Sequence, residues 1–242
     1  MWTVYKKEIR SFLSSLIAYV VMLVFLGATG LFMWVIKGNN IFDLGLASMQ
    51  VMFEMAPYIF IFLISAITMR SFSEEKRLGT IETLTTRPLS DLGIIMGKYL
   101  ACVTLLLIAL LPTLIYYYSV SQLGNPAGNI DTGAMWGSYL GLVFLGMAYT
   151  AMGIFSSAVS DNQIVALIMS MALGFFFYVV LGMMGDIAAL DAIGKSLEWF
   201  SLEYHYDSIS RGVLDTRDML YMLSFSALFI GLTKTVFESR KW

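Results

Sequence analysis

Long apolar runs separated by short polar segments are the main pattern along this chain. A run of about 20 apolar residues, folded as a helix, is long enough to cross the hydrocarbon core of a membrane. Six such runs are present, and the pattern therefore predicts an all-α, polytopic membrane protein with a single domain over residues 1–242. The first run begins at Phe12 or Leu16, and the six predicted spans end near Ile36, Met69, Tyr118, Val159, Met184 and Phe237.

Prolines, an acid and glycines inside the runs predict local features of the helices. Pro112 should kink the third helix, because proline removes a backbone hydrogen bond. Pro57 fits near the start of the second helix, where a missing N–H is tolerated. Glu54 falls near the membrane surface by the length of that run, which favours an interfacial carboxylate over a functional acid within the membrane. Gly137 and Gly141 share one face of the fourth helix and permit close packing.

The N-terminal residues 1–15 have an amphipathic pattern. At about 100° per residue, Lys6, Lys7 and Arg10 project to one side, and Glu8 lies near the apolar edge. The apolar side consists of Trp2, Tyr5, Ile9, Phe12 and Leu16. This arrangement favours an interfacial helix whose cations face anionic lipid headgroups. The alternative is that these residues only flank the first span.

Acidic residues scattered among apolar ones mark residues 185–218. The segment is too polar to span a membrane, yet 187–200 and 209–214 are too apolar for a free linker. We expect short interfacial or re-entrant helices here, before the last span.

The longest charged segment, residues 70–98, connects the second and third spans. Its first part, through Arg77, should continue the second helix, and Gly79 is placed to end that helix as the C′ residue. Thr80 can cap a new short helix that carries Ile81 and Leu84 on one face and ends at Pro88. Such a helix suits docking into a groove of another protein, whereas the alternative is a solvated loop.

The basic residues predict the orientation of the spans. An even number of spans places both termini on one side, and the positive-inside rule makes the more basic side cytoplasmic. The residues on that side are Lys6, Lys7, Arg10, Arg70, Lys76, Arg77, Arg87, Lys98, Lys234, Arg240 and Lys241, against Lys37, Lys195, Arg211 and Arg217 on the other. The termini and the 70–98 connector are therefore predicted to be cytoplasmic.

Residues for catalysis, metal binding or nucleic-acid binding are largely missing. His205 is the only histidine and Cys102 the only cysteine, which excludes zinc sites built from several of these residues. A net charge of −2 argues against a nucleic-acid partner. The sequence Gly93-x-x-x-Gly97-Lys98-Tyr99 is one residue too short for a phosphate-binding loop and lacks its hydroxyl residue. For His205 the sequence favours a hydrogen-bonded interfacial side chain over a catalytic one, and we expect no enzyme activity and no cofactor in this chain.

Several motifs resemble those of type-2 ABC exporter permeases. They are Glu74-Glu75-Lys76-Arg77-x-Gly79-Thr80-Ile81-Glu82-Thr83-Leu84, then Arg87-Pro88-Leu89-Ser90 and Gly97-Lys98-Tyr99-Leu100. The six spans, the N-terminal elbow helix and the re-entrant helices are also features of that family. More narrowly, the gliding-motility-associated permease subfamily is similar at Gln122–Pro126, Ser160–Gln163, Tyr204–Gly212 and Glu238–Trp242.

The resemblance implies a permease subunit that couples ATP hydrolysis by a separate ABC ATPase subunit to export, or to gliding-motility machinery. It implies that the connector contains a coupling helix, with ATP and magnesium bound only by the ATPase, and that a second permease subunit pairs with this chain as a homodimer or heterodimer. The implied location is a bacterial inner membrane. The residues implied to dock to the ATPase are Glu74, Glu75, Lys76, Arg77, Gly79, Thr80, Ile81, Glu82 and Leu84. Those implied to anchor the elbow helix at the membrane are Tyr5, Lys6, Lys7 and Arg10. The alternative function is a non-transporting component that uses the ATPase for assembly or mechanical work.

Overall fold

The computed structural model of this chain describes residues 1–38, 40–80, 90–187 and 191–239. Within these ranges the regular secondary structure is entirely helical, as the apolar runs predicted. The helices are α1 Trp2–Leu13, α2 Leu16–Trp34, α3 Ile41–Leu44, α4 Gln50–Thr68, α5 Ser73–Arg77, α6 Asp91–Leu110, α7 Leu114–Leu123, α8 Thr132–Val159, α9 Gln163–Phe175, α10 Leu181–Met183, α11 Asp191–Glu198, α12 Leu202–Ser210 and α13 Thr216–Glu238.

Five helical segments are long and apolar enough to cross a membrane by themselves. They are Gln50–Arg77, Asp91–Leu123, Thr132–Val159, Gln163–Met183 and Thr216–Glu238. The sixth is present if α1 and α2 are taken together, and these two helices meet at a bend of 68°. The predicted multi-pass helical architecture is confirmed at this level, with five or six candidate spans.

The central helix of the bundle is α8. It packs against α4, α6, α9, α12 and α13, so little of its surface is left for solvent or lipid. Small residues make these close contacts possible: a Cβ on Gly137 would lie 2.8 Å from the carbonyl oxygen of Gly212, and one on Gly153 would lie 2.0 Å from Oγ1 of Thr68. The packing role predicted for the glycines of this span is therefore confirmed.

Two prolines alter the helices in which they lie. Pro112 does so as predicted, whereas the position of Pro57 in its helix differs from the prediction. A 3₁₀ turn at Leu111–Thr113 separates α6 from α7, so Pro112 interrupts the α-helical hydrogen bonding as predicted. Pro57 lies well inside α4 rather than near its start. Its missing N–H would have bonded to the Phe53 carbonyl, and this carbonyl instead accepts a hydrogen bond of 2.9 Å from the Tyr206 hydroxyl. A distant side chain thus replaces the donor that Pro57 lacks.

This replacement can be tested with Tyr206→Phe. We expect the substitution to lower the free energy of unfolding by about 1–3 kcal/mol, because it leaves the Phe53 carbonyl buried without a donor. Thermal unfolding of the detergent-solubilised protein would measure the loss. In a Pro57→Ala background the restored backbone N–H can bond to Phe53, and Tyr206→Phe should then cost less. An equal loss in both backgrounds would contradict the pairing.

Between α9 and α13 the chain forms short irregular and helical pieces. A π-helical turn covers Phe176–Val180, followed by α10 and a 3₁₀ turn at Met184–Asp186. Beyond these, α11 and α12 are the short helices expected for residues 185–218, and α12 packs against α8 and α13. This end of the bundle is opposite the end that holds α1 and α5.

Candidate functional site: a buried ion cluster at the base of the connector

The connector begins with a turn, so α5 starts at Ser73 and does not continue α4 without a break as predicted. The end of α5 follows the predicted pattern. Leu78 caps the helix, and Gly79 adopts φ +68° in the left-handed region. The N–H of Gly79 donates to the Lys76 carbonyl at 3.1 Å, and that of Thr80 donates to the Glu75 carbonyl at 3.0 Å. This pair of bonds is a Schellman motif, which confirms Gly79 as the C′ residue. Ile81, Glu82 and Leu84 of the predicted coupling helix lie outside the described residues.

A fully buried lysine lies beside this segment. Lys98 is 1% exposed, although it belongs to an apolar helix, α6. Its Nζ atom lies 3.0 Å from Oε1 of Glu8 and 3.0 Å from Oε2 of Glu75, and it donates to the Ser71 carbonyl at 2.6 Å. The Phe72 ring lies 5.1 Å away, within cation–π distance. The ammonium group is thus surrounded by protein groups that stabilise its charge.

The two carboxylates are shared with a second lysine at the edge of the site. Lys7 Nζ donates to Oε1 of Glu75 at 2.9 Å and lies 3.6 Å from Oε1 of Glu8. Oε2 of Glu75 is close enough to Lys98 for an ion pair, but no hydrogen bond within the described residues is directed at it. We call Lys7, Glu8, Glu75 and Lys98 the buried ion cluster. The positive charges of its two lysines and the negative charges of its two glutamates sum to zero, and buried charges are stable only when they are paired in this way.

The buried ion cluster joins three separate parts of the chain. Glu8 and Lys7 come from α1, Glu75 comes from α5, and Lys98 comes from α6. Gly97 allows α1 to approach α6 closely, since a Cβ there would lie 3.0 Å from both the Met1 carbonyl oxygen and Cβ of Val4. The connector is therefore fixed at its base to the elbow helix on one side and to the third span on the other.

Further contacts attach the same segment to the rest of the bundle. The Ser157 hydroxyl of α8 accepts hydrogen bonds from the N–H groups of Phe72 and Ser73, at 2.9 and 3.1 Å, and donates to the Met69 carbonyl. Lys76 forms a 3.1 Å ion pair with Asp161, in the turn between α8 and α9. Through these contacts, a displacement of α5 would also reach α8.

The structure separates the residues that the sequence grouped as a docking set. Arg77, Gly79 and Thr80 are exposed at the surface of the connector, and Glu74 is half-buried. Glu75 is buried in the ion cluster, and the Lys76 side chain is only 11% exposed. Glu75 and Lys76 thus form ion pairs within this chain, and the Thr80 hydroxyl donates to the Glu75 carbonyl at 3.3 Å.

The elbow residues divide in a similar way. Lys6 and Arg10 are exposed, and Lys6 lies 5.3 Å from the centre of the Trp2 ring. Lys7 is exposed as well, with 58% of its side chain accessible, and its Nζ atom also donates to Oε1 of Glu75 at 2.9 Å. Tyr5 bonds through its hydroxyl to Thr104 of α6 at 3.0 Å. The inward face of α1 is formed by Val4, Glu8 and Phe12, so Glu8 belongs to the packed face rather than to its margin.

Sequence reasoning did not find the pairing of Glu8 with Lys98. Two signals were available: an acid near the apolar edge of α1, and a Gly-Lys pair at the entry of an apolar run. Neither signal identifies a partner 90 residues away. The cluster contains no nucleophile, and the described residues include no group of three or more metal-ligating side chains. What the described contacts show is an ion cluster that joins α1, α5 and α6.

Comparison with known families agrees with this architecture. The family described as ABC-2 family transporter protein matches residues 39–238, which is most of the chain and begins after α2. No curated protein matches the sequence. Permeases of this family are membrane components of ABC transporters and generally work with an ABC ATPase subunit. The match, together with the apolar helices, shows that this chain belongs to the ABC-2 transporter family as a multi-pass membrane protein.

Proposed function

We propose that this chain is the permease subunit of an ATP-driven exporter and that it receives energy through the 70–98 connector. The observation that carries the proposal is the buried ion cluster, which fixes the base of the connector to α1 and α6. Packed interiors transmit displacement because they have little free volume. A partner that pushes on the connector would therefore move the elbow helix and the third span together, through Glu75, Glu8 and Lys98.

The proposed partner is a separate ABC ATPase subunit, which would bind the ATP and magnesium. Gly79, Thr80, Ile81, Glu82 and Leu84 would dock into it, with Glu74 and Arg77 at the polar rim. Glu75 and Lys76 would hold the docking segment in place from within the bundle. A second permease subunit would complete the pathway across a bacterial inner membrane, with both termini of this chain in the cytoplasm. At the membrane surface, Tyr5 would hold the elbow helix on α6, with Lys6 and Arg10 facing lipid headgroups.

Charge changes in the docking segment test this proposal. We expect Ile81→Asp and Glu82→Lys to leave the protein inserted in the membrane but unable to recruit or stimulate its ATPase. The first puts a charge on the apolar face of the proposed docking helix, and the second reverses the charge of a residue in that helix. Co-purification of the ATPase and its rate of ATP hydrolysis would be measured. Glu238→Lys is the matched control, since this half-exposed acid lies at the same end of the bundle and outside the connector. If co-purification of the ATPase and its rate of hydrolysis are unchanged in both docking variants, the proposal that this segment docks to the ATPase is contradicted.

The alternative function is a non-transporting complex in which the ATPase drives assembly or mechanical work, as in gliding motility. The resemblance at Gln122–Pro126, Ser160–Gln163, Tyr204–Gly212 and Glu238–Trp242 favours it. Reconstituted vesicles that contain the complex distinguish the two functions. ATP-dependent loss of a labelled substrate from one leaflet supports export. ATPase activity without such loss supports mechanical work.

A further inference from the structure

A large cavity lies at the end of the bundle opposite the buried ion cluster. Its volume is about 1140 Å³, and it is formed by α11, α12, the end of α10 and the first turns of α13. The cavity has no part in the connector or in its contacts. Its wall combines carboxylates with aromatic rings, a combination that the proposed ATPase coupling does not require.

Negative charge predominates in this wall. Five carboxylates line the cavity, against the single guanidinium of Arg217 and the ring of His205: Glu198, Glu203, Asp207, Asp215 and Asp218. Three of the five have identified roles in the fold. Asp218 accepts from Ser208 and contacts His205 at 2.8 Å, Asp207 pairs with Arg211, and Asp215 caps α13 by accepting from the Arg217 N–H.

Glu198 and Glu203 are fitted against glycines, and Glu203 has a further interaction within the chain. A Cβ on Gly182 would lie 1.8 Å from Oε2 of Glu203, and one on Gly185 would lie 1.9 Å from Oε2 of Glu198. Each carboxylate thus occupies space that any larger residue would take. Over the ranges that the structure describes, Glu198 forms no ion pair, which leaves its charge available to a ligand.

Aromatic side chains complete the wall. Trp199 is 51% exposed and Tyr204 is 49% exposed, so both present ring surface to the cavity or its rim. His205 stacks on Tyr221 with ring centres 3.8 Å apart, and its Nε2 lies 2.9 Å from the Trp199 carbonyl oxygen. The hydrogen-bonded histidine expected from the sequence is therefore present, and it fixes the position of the adjacent Trp199.

A polar group inside the bundle lies near the same place. The Tyr149 hydroxyl of α8 is buried and has no hydrogen-bond partner within the described residues. Its ring centre lies 6.3 Å from that of Tyr178, whose carbonyl accepts a hydrogen bond from the Ser201 hydroxyl just before α12. A buried hydroxyl without a partner is uncommon in native proteins and calls for an explanation such as a bound ligand or water. Here the unpaired hydroxyl lies inside the bundle and does not itself line the cavity.

We propose that this cavity binds an organic cation with an ammonium group, held by Glu198 and Glu203 and by the ring surfaces of Trp199 and Tyr204. Carboxylates with aromatic faces are the usual recognition elements for ammonium groups, through charge and cation–π attraction. No group of three or more metal-ligating side chains was found among the described residues, which favours an organic cation over a metal ion. The site is independent of ATPase coupling, and it can be tested on the isolated chain.

The test is a titration of the full-length protein in detergent with choline chloride, followed by calorimetry and by tryptophan fluorescence. We expect saturable binding that changes the emission of Trp199, and the fluorescence change should be absent in Trp199→Phe. Glu198→Gln with Glu203→Gln should weaken binding at least about tenfold, because the attraction of two negative charges for the cation is lost. Asp161→Asn is the control, since it removes an exposed carboxylate at the opposite end of the bundle.

Potassium chloride at equal concentration shows whether the signal is specific. An equal response to potassium, no saturable response to choline, or unchanged binding in the double glutamine variant would each overturn the proposal. A monodisperse gel-filtration profile would show that the double variant remains folded. In phosphatidylcholine nanodiscs, loss of the choline signal would identify a lipid headgroup as the source of the ammonium group, and a retained signal would identify a free cation.

Discussion

Replacing Lys98 by methionine is expected to lower the free energy of unfolding by about 3–5 kcal/mol, one of the two largest effects that we predict. The substitution keeps most of the apolar volume but removes the cation that pairs with Glu8 and Glu75. Two glutamates would then share the single charge of Lys7 in a buried site. Thermal unfolding of the detergent-solubilised protein measures the loss, and the ATPase rate of the assembled complex reports whether coupling is lost as well.

A control and a rescue separate the buried ion cluster from general effects of charge. Lys234→Met removes a half-exposed lysine paired with Glu238 and should change stability by less than about 1 kcal/mol. Adding Glu8→Gln and Glu75→Gln to Lys98→Met removes the uncompensated charges and should recover much of the loss. If Lys98→Met is no more destabilising than Lys234→Met, the cluster does not hold the connector to α1 and α6.

The second large effect is expected for Gly212→Ala. Gly212 follows α12 at φ +84°, and its N–H donates to the Ile209 carbonyl at 2.9 Å. An added Cβ would lie 2.2 Å from the Cα atom of Ala134, where the backbone of α8 cannot easily move. Backbone strain and overpacking together should lower the free energy of unfolding by about 2–5 kcal/mol. Thermal unfolding would again measure the change.

The chain offers a matched control for this prediction at Gly79. Gly79 has the same position after its helix and a similar φ of +68°, but an added Cβ would meet nothing within 4 Å. Gly79→Ala should therefore cost only the backbone strain of about 1–2 kcal/mol. Equal losses at the two glycines would show that the contact of α12 with α8 does not limit stability.

Much of the helical framework was predictable from the order of residues. Apolar runs of sufficient length predicted the membrane-crossing helices, because a helix must satisfy its own backbone hydrogen bonds in lipid. Gly79 predicted the end of α5, since a left-handed residue after a helix favours glycine. Pro112 predicted the interruption between α6 and α7 for an equally local reason. Each of these features is determined by residues that lie close to it in the sequence, so it can be predicted without knowledge of the tertiary contacts.

Features that join distant residues were not predictable in the same way. Pro57 was predicted near a helix start because a missing N–H is tolerated there. The Tyr206 hydroxyl, which replaces its missing donor, lies far along the chain and could not be identified from local pattern. The sequence grouped Lys7 with Lys6 and Arg10 by helical periodicity and did not identify the ion pair of Lys7 with Glu75, a residue far along the chain. The contacts that give Glu198 and Glu203 their positions at Gly185 and Gly182 likewise depend on how α10, α11 and α12 meet.

By itself, the sequence determined that this protein is an all-α, multi-pass membrane protein with a charged connector at residues 70–98. The length of an apolar run, a proline and a glycine each affect the backbone nearby, and their effects can therefore be predicted from the sequence. Only the tertiary structure decided that Lys98 is buried between Glu8 and Glu75, and that the connector is thereby fixed to α1 and α6. The physical reason is that a buried charge is stable only where folding brings opposite charges to it, and those charges come from segments far apart in the chain.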